Sequence, residues 1–246
     1  MIIPSMNNDT PVKKVKSDQE NPFLNLIFNI FLPLFILNKG TEPLGPGIAL
    51  VTALFFPMAF GAYDLLTRKK TNFFSLLGLL NIGLTGGFAL SGLTGTWFAI
   101  KEAAFPFLIG IFVLASAFSK KPFVKTLFLN PQIINVSLLD SKISTEELKT
   151  QFEILLKSNT ILLSISFALS ALLNFFLAVY IFTPIDPQLE ETARSTLLNQ
   201  QIAEMTKWSF LVILLPSMIF LMIIFAHLFR GLKKLTGLTI EEIMPK

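Results

Sequence analysis

Six stretches of this chain are apolar for about the length a helix needs to cross a bilayer, and that pattern fixes most of what it can fold into. An α-helix rises about 1.5 Å per residue, so about 20 residues cover a hydrocarbon core about 30 Å thick. The stretches are residues 22–38, 46–66, 73–93, 97–118, 160–182 and 208–229. The first is short, and Asn21 and Pro22 are placed to cap and open it. Hydrophobic residues make up 52% of the chain and charged residues 15%, so water is not the solvent for most of it. The expected fold class is therefore all-α: a polytopic integral membrane protein built as a six-transmembrane-helix bundle. Residues 1–20 are polar, hold Lys13, Lys14 and Lys16, and read as a flexible cytoplasmic tail. Residues 21–246 read as a single membrane domain.

Loop charges set the expected orientation, because short basic loops stay in the cytoplasm. With six spans, sixteen of the 20 lysines and arginines fall on one side, and only Lys39, Lys101, Arg194 and Lys207 on the other. The amino and carboxyl ends are then both inside. The net charge of +4 reads as anchoring to an anionic inner leaflet and not as nucleic-acid binding.

Between spans four and five lies a cytoplasmic arm, residues 119–159, with an amphipathic helix. Ser144 and Glu147 have capping-box spacing, and Ile143 and Leu148 are placed as a hydrophobic staple. Leu148, Phe152, Leu155 and Leu156 share one face; Glu146, Lys149, Glu153 and Lys157 share the other. The arm either joins two spans or also offers a docking surface to a protein partner. On the other side, the loop 183–207 holds a short helix around 197–205.

Catalytic equipment is sparse. There is no cysteine and one histidine, His227, near the inner interface, and no nucleophile elbow, phosphate-cradling loop or metal-ligand pair. No enzyme activity, metal or cofactor is expected.

The candidate sites are polar or small residues inside spans. Lys101 and Glu102 lie about one turn inside the outer interface, after Trp97. Ionisable residues at that depth face a polar interior or snorkel to the surface. Neighbours on a helix point about 100° apart, so each is expected to find its own partner, and Asn81 and Thr94 complete the expected pocket. Asn29, Asn81 and Asn174 need partners in hydrocarbon, with bonds between helices as the usual answer. Pro33, Pro57, Pro106 and Pro216 interrupt four spans and free the carbonyls of Asn29, Ala53, Glu102 and Val212. Gly83, Gly87, Ser91 and Gly95, at four-residue spacing, form a small-residue ladder for packing inside the bundle or for a homo-oligomer.

Three segments carry a resemblance: GPGIALVTALFFPMAFGAYDLLTRKKTNFFSLLGLLNIGLTGG (45–87), IKEAAFPFLIGIFVLASAFSKKPFVKTLF (100–128) and FRGLKKLTGL (229–238). Together they resemble an uncharacterised family of bacterial membrane proteins related to intracellular septation protein A. The resemblance implies a bacterial inner-membrane location and a role in envelope or division processes, and it brings no catalytic residues. Members are sometimes labelled major facilitator transporters, a class of about twelve spans where this chain has six. Two functional readings follow: a structural or interaction protein of the inner membrane, and a small-solute transporter or channel.

Overall fold

The computed structural model describes residues 27–68, 73–119, 121–129 and 134–244, and the side chains of 64–68 and 73–79 lie outside that description. Asn21, Pro22 and the amino-terminal tail also lie outside it. Among the described residues there are helices and no strand.

Helix α1 covers residues 27–44 and is irregular. Two π-helical turns, Ile27–Phe31 and Ile36–Gly40, flank Leu32–Phe35, and Thr41–Leu44 closes it. Gly45, at φ 79°, turns the chain into α2 (Pro46–Arg68). An L-residue with a side chain is strained at that φ, so this break needs glycine. Then come α3 (Phe73–Leu90), α4 (Thr96–Ser116), α5 (Phe123–Phe128), α6 (Val136–Lys142), α7 (Glu146–Ile181), α8 (Glu191–Thr236) and α9 (Ile240–Ile243). Within α8 a third π-helical turn spans Phe210–Leu214.

Four of these, α2, α4, α7 and α8, are long and apolar enough to cross a membrane. Their outward faces are apolar as well: Phe107, Leu108 and Ile111 on α4, Leu172 and Phe176 on α7, and Met218, Ile219 and Met222 on α8 are all exposed. Lys101, Asn159, Thr160 and Ser164, by contrast, are buried. An apolar outward face with polar side chains kept inside is the arrangement a hydrocarbon solvent selects, and the protein is membrane-embedded.

Two cores hold the bundle, one near each end. The first joins Ile36 and Leu37, Leu50, Phe98, Phe182, and Leu198 and Ile202. The second joins Val113, Val124, Leu139, Leu156, Leu228, Leu232 and Ile243. Helices α4 and α7 pack most intimately, because Gly110 lets the backbones approach: a Cβ there would sit 3.2 Å from Phe167 Cβ. Ser164 Oγ donates to the Gly110 carbonyl at 3.0 Å across the same contact.

Several sequence expectations need correction. The amphipathic helix of the arm does not end before span five. It is the first part of α7, 36 residues of uninterrupted helix with no glycine or proline inside it. Its polar and apolar faces fall as expected, with Leu156 buried and Lys149, Glu153 and Lys157 exposed. The cap is Thr145, whose side chain accepts from the Leu148 N–H at 3.3 Å, and not Ser144 of the expected capping box with Glu147. Adjacent hydroxyls compete for one role, and Thr145 takes it. The short helix around 197–205 is likewise part of α8, which runs unbroken into the apolar segment. Pro57 and Pro106 sit inside continuous helices. Pro33 and Pro216 each follow a π-helical turn by one residue, so the wider turn is where the lost hydrogen bond is absorbed.

Candidate functional site

A cavity of about 420 Å³ lies inside the end of the bundle held by the first core. Its walls come from α1 (Asn29, Pro33), α2 (Ala53, Pro57), α3 (Asn81, Thr85), α4 (Glu102), the end of α7 (Phe182) and α8 (Thr206, Ser209, Phe210). The volume falls within the range of small-ligand sites, about 300–1,000 Å³. Both proline-linked π turns contribute to it: Asn29 and Ile30 from the first, Phe210 and Leu214 from the third. Asn29, Ala53 and Glu102, each four residues before a proline, border the cavity too. Irregular helical backbone at membrane depth is tolerated where it lines a polar space.

The charged centre of this site is an ion pair. Lys101 Nζ lies 2.6 Å from Glu102 Oε1, with side-chain exposures of 2% and 18%. The expectation that these neighbours find separate partners is overturned. Their Cα–Cβ bonds diverge, but the long lysine stem curls back, and in a buried site the nearest anion decides where the ammonium goes. The same Nζ donates to Thr85 Oγ1 at 2.6 Å and lies 5.7 Å from the Phe98 ring centroid. Thr85 Oγ1 in turn donates to the Asn81 carbonyl one turn earlier at 2.9 Å. A chain of contacts therefore ties α4 to α3, with Glu102 facing the cavity at one end.

Of the four residues expected in the pocket, Lys101, Glu102 and Asn81 are brought together and Thr94 is not. Thr94 lines a second cavity of about 360 Å³ with Leu50, Glu191, Arg194, Leu198 and Asn199. The two cavities stack along α8, with Leu198 on one and Ile202, a turn later, on the other. Thr85, Thr206 and Ser209 were not singled out by the sequence. Thr85 carried a usable signal, one turn from Asn81 on the same face. The α8 hydroxyls carried none, since they precede or only begin the apolar stretch at 208.

No family model, curated protein or solved structure matches the chain. The site is therefore described by its own geometry.

The small-residue ladder does not form one continuous helix face. Gly83 and Gly87 are exposed, with open space where a Cβ would project. Ser91 lies in the turn after α3, and Gly95, at φ 59°, caps the start of α4. Packing within the chain uses Gly86 instead, where a Cβ would come within 2.9 Å of Leu54 Cδ1. Asn174 also departs from expectation: its Nδ2 donates to Ser170 O at 2.8 Å within its own helix. His227 Nε2 lies 3.3 Å from Ser158 Oγ and links α8 to α7 far from the cavity.

Proposed function

We propose that this chain is a six-span membrane protein that binds a small solute within its bundle and moves it across the bilayer, as a transporter or channel. In this reading α1 and α3 complete the six spans, both chain ends face the cytoplasm, and the membrane is the bacterial inner membrane. No residue is assigned a catalytic role. One observation carries the reading: the cavity of about 420 Å³ that a half-buried carboxylate, Glu102, faces from inside the bundle. Ionisable groups at membrane depth are costly and mark solute or ion pathways. Irregular helical turns beside a cavity are frequent at functional sites, and here α1 and α8 carry π-helical turns on the cavity wall. The test is solute flux in proteoliposomes containing the purified chain. Saturable uptake that falls when Ile82, on the cavity wall, is enlarged to Trp supports the reading. A flux no different from protein-free vesicles for cationic, neutral and anionic small solutes overturns it.

A second reading, a structural or interaction protein acting in envelope or division processes, is favoured by the open face of α3. Among the described residues nothing covers Gly83 and Gly87, which suits close approach of another helix. The septation-type resemblance points the same way. Crosslinking from Gly83→Cys in membranes separates the outcomes: a specific adduct with a second copy or a partner helix supports this reading, and its absence removes it.

A further inference from the structure

The proposed solute cavity has one-sided hydrogen-bonding chemistry, and that one-sidedness names a solute class; the inference rests on the transporter reading above. Three hydroxyls on the cavity wall already spend their protons on helix carbonyls. Thr85 Oγ1 donates to Asn81 O at 2.9 Å, Thr206 Oγ1 to Ile202 O at 2.9 Å, and Ser209 Oγ to Met205 O at 2.6 Å. Thr85 also accepts the Lys101 ammonium, so it has little left to offer. On Thr206 and Ser209 the remaining capacity is oxygen lone pairs. Asn81 Oδ1 is buried among the described residues with no hydrogen-bond partner, an unmet acceptor on the same wall. Glu102 adds a carboxylate whose Oε1 is held by Lys101. Apart from the amides of Asn29 and Asn81, which also carry N–H groups, the polar groups on this wall are acceptors, and with the Glu102 carboxylate they match a ligand that brings N–H donors and positive charge. An anion would meet this wall with repulsion. The rest of the surface is hydrocarbon, with Phe182, Phe210, Leu214 and Ile82 prominent, which suits an apolar body behind the charged head.

We infer that the cavity takes a small organic cation of the alkylammonium class, with Glu102 as its counter-ion and Lys101 as a tethered cation that holds Glu102 between binding events. The ion pair makes this role specific. A lone carboxylate in a low-dielectric site is costly, and a lysine whose ammonium lies 2.6 Å away removes that cost. An incoming ammonium must then share or displace it. The Thr85 hydroxyl and the Phe98 face give the Lys101 ammonium partners that remain when Glu102 turns to the solute. Lys101 is thus an internal competitor for the site and not part of the binding surface, in keeping with its absence from the cavity wall.

The experiment uses the full chain in lipid nanodiscs and three probes of matched carbon skeleton: butylammonium, butanol and butyrate. Thermal stabilisation and calorimetry report binding. Butylammonium is expected to bind saturably and the other two not. Lys101→Met is expected to tighten butylammonium binding by about tenfold or more, since it removes the competitor. Because Lys101→Met leaves a half-buried carboxylate unpaired, a double variant, Lys101→Met with Glu102→Gln, serves as the folding-safe control. It holds no buried charge at this site and is expected to lose butylammonium binding while keeping its unfolding temperature without probe. Butanol or butyrate binding as well as butylammonium overturns the cation assignment and leaves the solute cavity standing. Unchanged butylammonium affinity in the double variant overturns the role of Glu102. Absence of binding by all three probes overturns the cavity reading and the cation assignment together.

Discussion

Asn199 on α8 donates through Nδ2 to the carbonyl of Pro46, the first residue of α2, at 2.9 Å. Thr41 Oγ1 lies 3.5 Å from the same nitrogen, so one amide gathers α1, α2 and α8 beside the second cavity. The residue is only 1% exposed. Asn199→Leu is expected to remove the added bond to the Pro46 carbonyl and cost about 0.5–1.5 kcal/mol, the usual net worth of one hydrogen bond. Thermal unfolding in detergent measures it. Asn199→Asp, which sets an acceptor against an acceptor, should cost more than Leu; a smaller loss for Asp would mean that the amide donor is not what matters.

Gly110 and Ser164 meet where α4 and α7 are closest, and the two should not be equally important. Gly110→Leu forces a side chain into space already filled by Phe167 and should cost about 1–3 kcal/mol or more. Ser164→Ala loses one interhelical hydrogen bond, worth about 0.6 kcal/mol in comparable membrane bundles. Chemical or thermal unfolding of both variants ranks them, and the reverse order contradicts the packing described.

The wall between the two cavities is one helical turn of apolar side chains, with Leu50 and Leu198 on one side and Ala53 and Ile202 on the other. Because the chain has no cysteine, single-cysteine variants report access cleanly. A cysteine at Ser195, beside the second cavity, is expected to react with a polar thiol reagent faster than one at Thr206, beside the first. Adding Leu198→Ala should speed labelling at position 206 and leave position 195 unchanged. Equal rates at both positions before that change would show that Leu50, Leu198 and Ile202 do not separate the spaces.

Loop charge makes a prediction about sidedness. A reporter fused after Lys246 is expected to read as cytoplasmic and one inserted near Glu191 as external. Both reporters on the same side would leave six spans untenable.

At the carboxyl end, Glu242 accepts from the Thr239 N–H at 2.8 Å and from the Thr239 hydroxyl at 3.0 Å, closing a capping box on α9. The backbone bond, then the hydroxyl bond, holds its carboxyl below the ordinary value. A depressed carboxyl stabilises the folded form above the unfolded-state pKa, near 4.5, and that contribution is lost as pH falls through the lower folded value. Amide exchange in residues 239–243 should therefore quicken, relative to the rest of the chain, as the pH falls below the ordinary carboxyl value of 4.5. Glu242→Gln should flatten that dependence.

How much of this was legible in the sequence depends on what marks an element's end. Helices α2 and α4 begin within a residue of their expected starts, because Gly45 and Gly95 are backbone breaks that the sequence displays. Hydropathy misled at α7 and α8, since it marks where a solvent changes and not where a helix stops. Between Glu146 and Ile181, and between Glu191 and Leu215, no glycine or proline intervenes, and that silence was the true signal of continuity. In the site, the importance of Lys101 and Glu102 was visible as charge out of place. Their pairing was not, because it depends on where the lysine stem can curl once Thr85 and Phe98 arrive from α3 and α4. The contributions of Thr206 and Ser209 were hidden by the assumption that residues before 208 lay in a loop.

Helix α7 has one further consequence. Its 36 residues make a strut about 54 Å long at about 1.5 Å per residue. Phe182, just past its end, forms part of the cavity wall, and Ser164, close to its midpoint, is pinned to Gly110. With Phe182 in the first core, Ser164 on Gly110 and Leu156 in the second core, the strut is gripped at three levels, and it fixes the spacing between the cavity and the far end of the bundle.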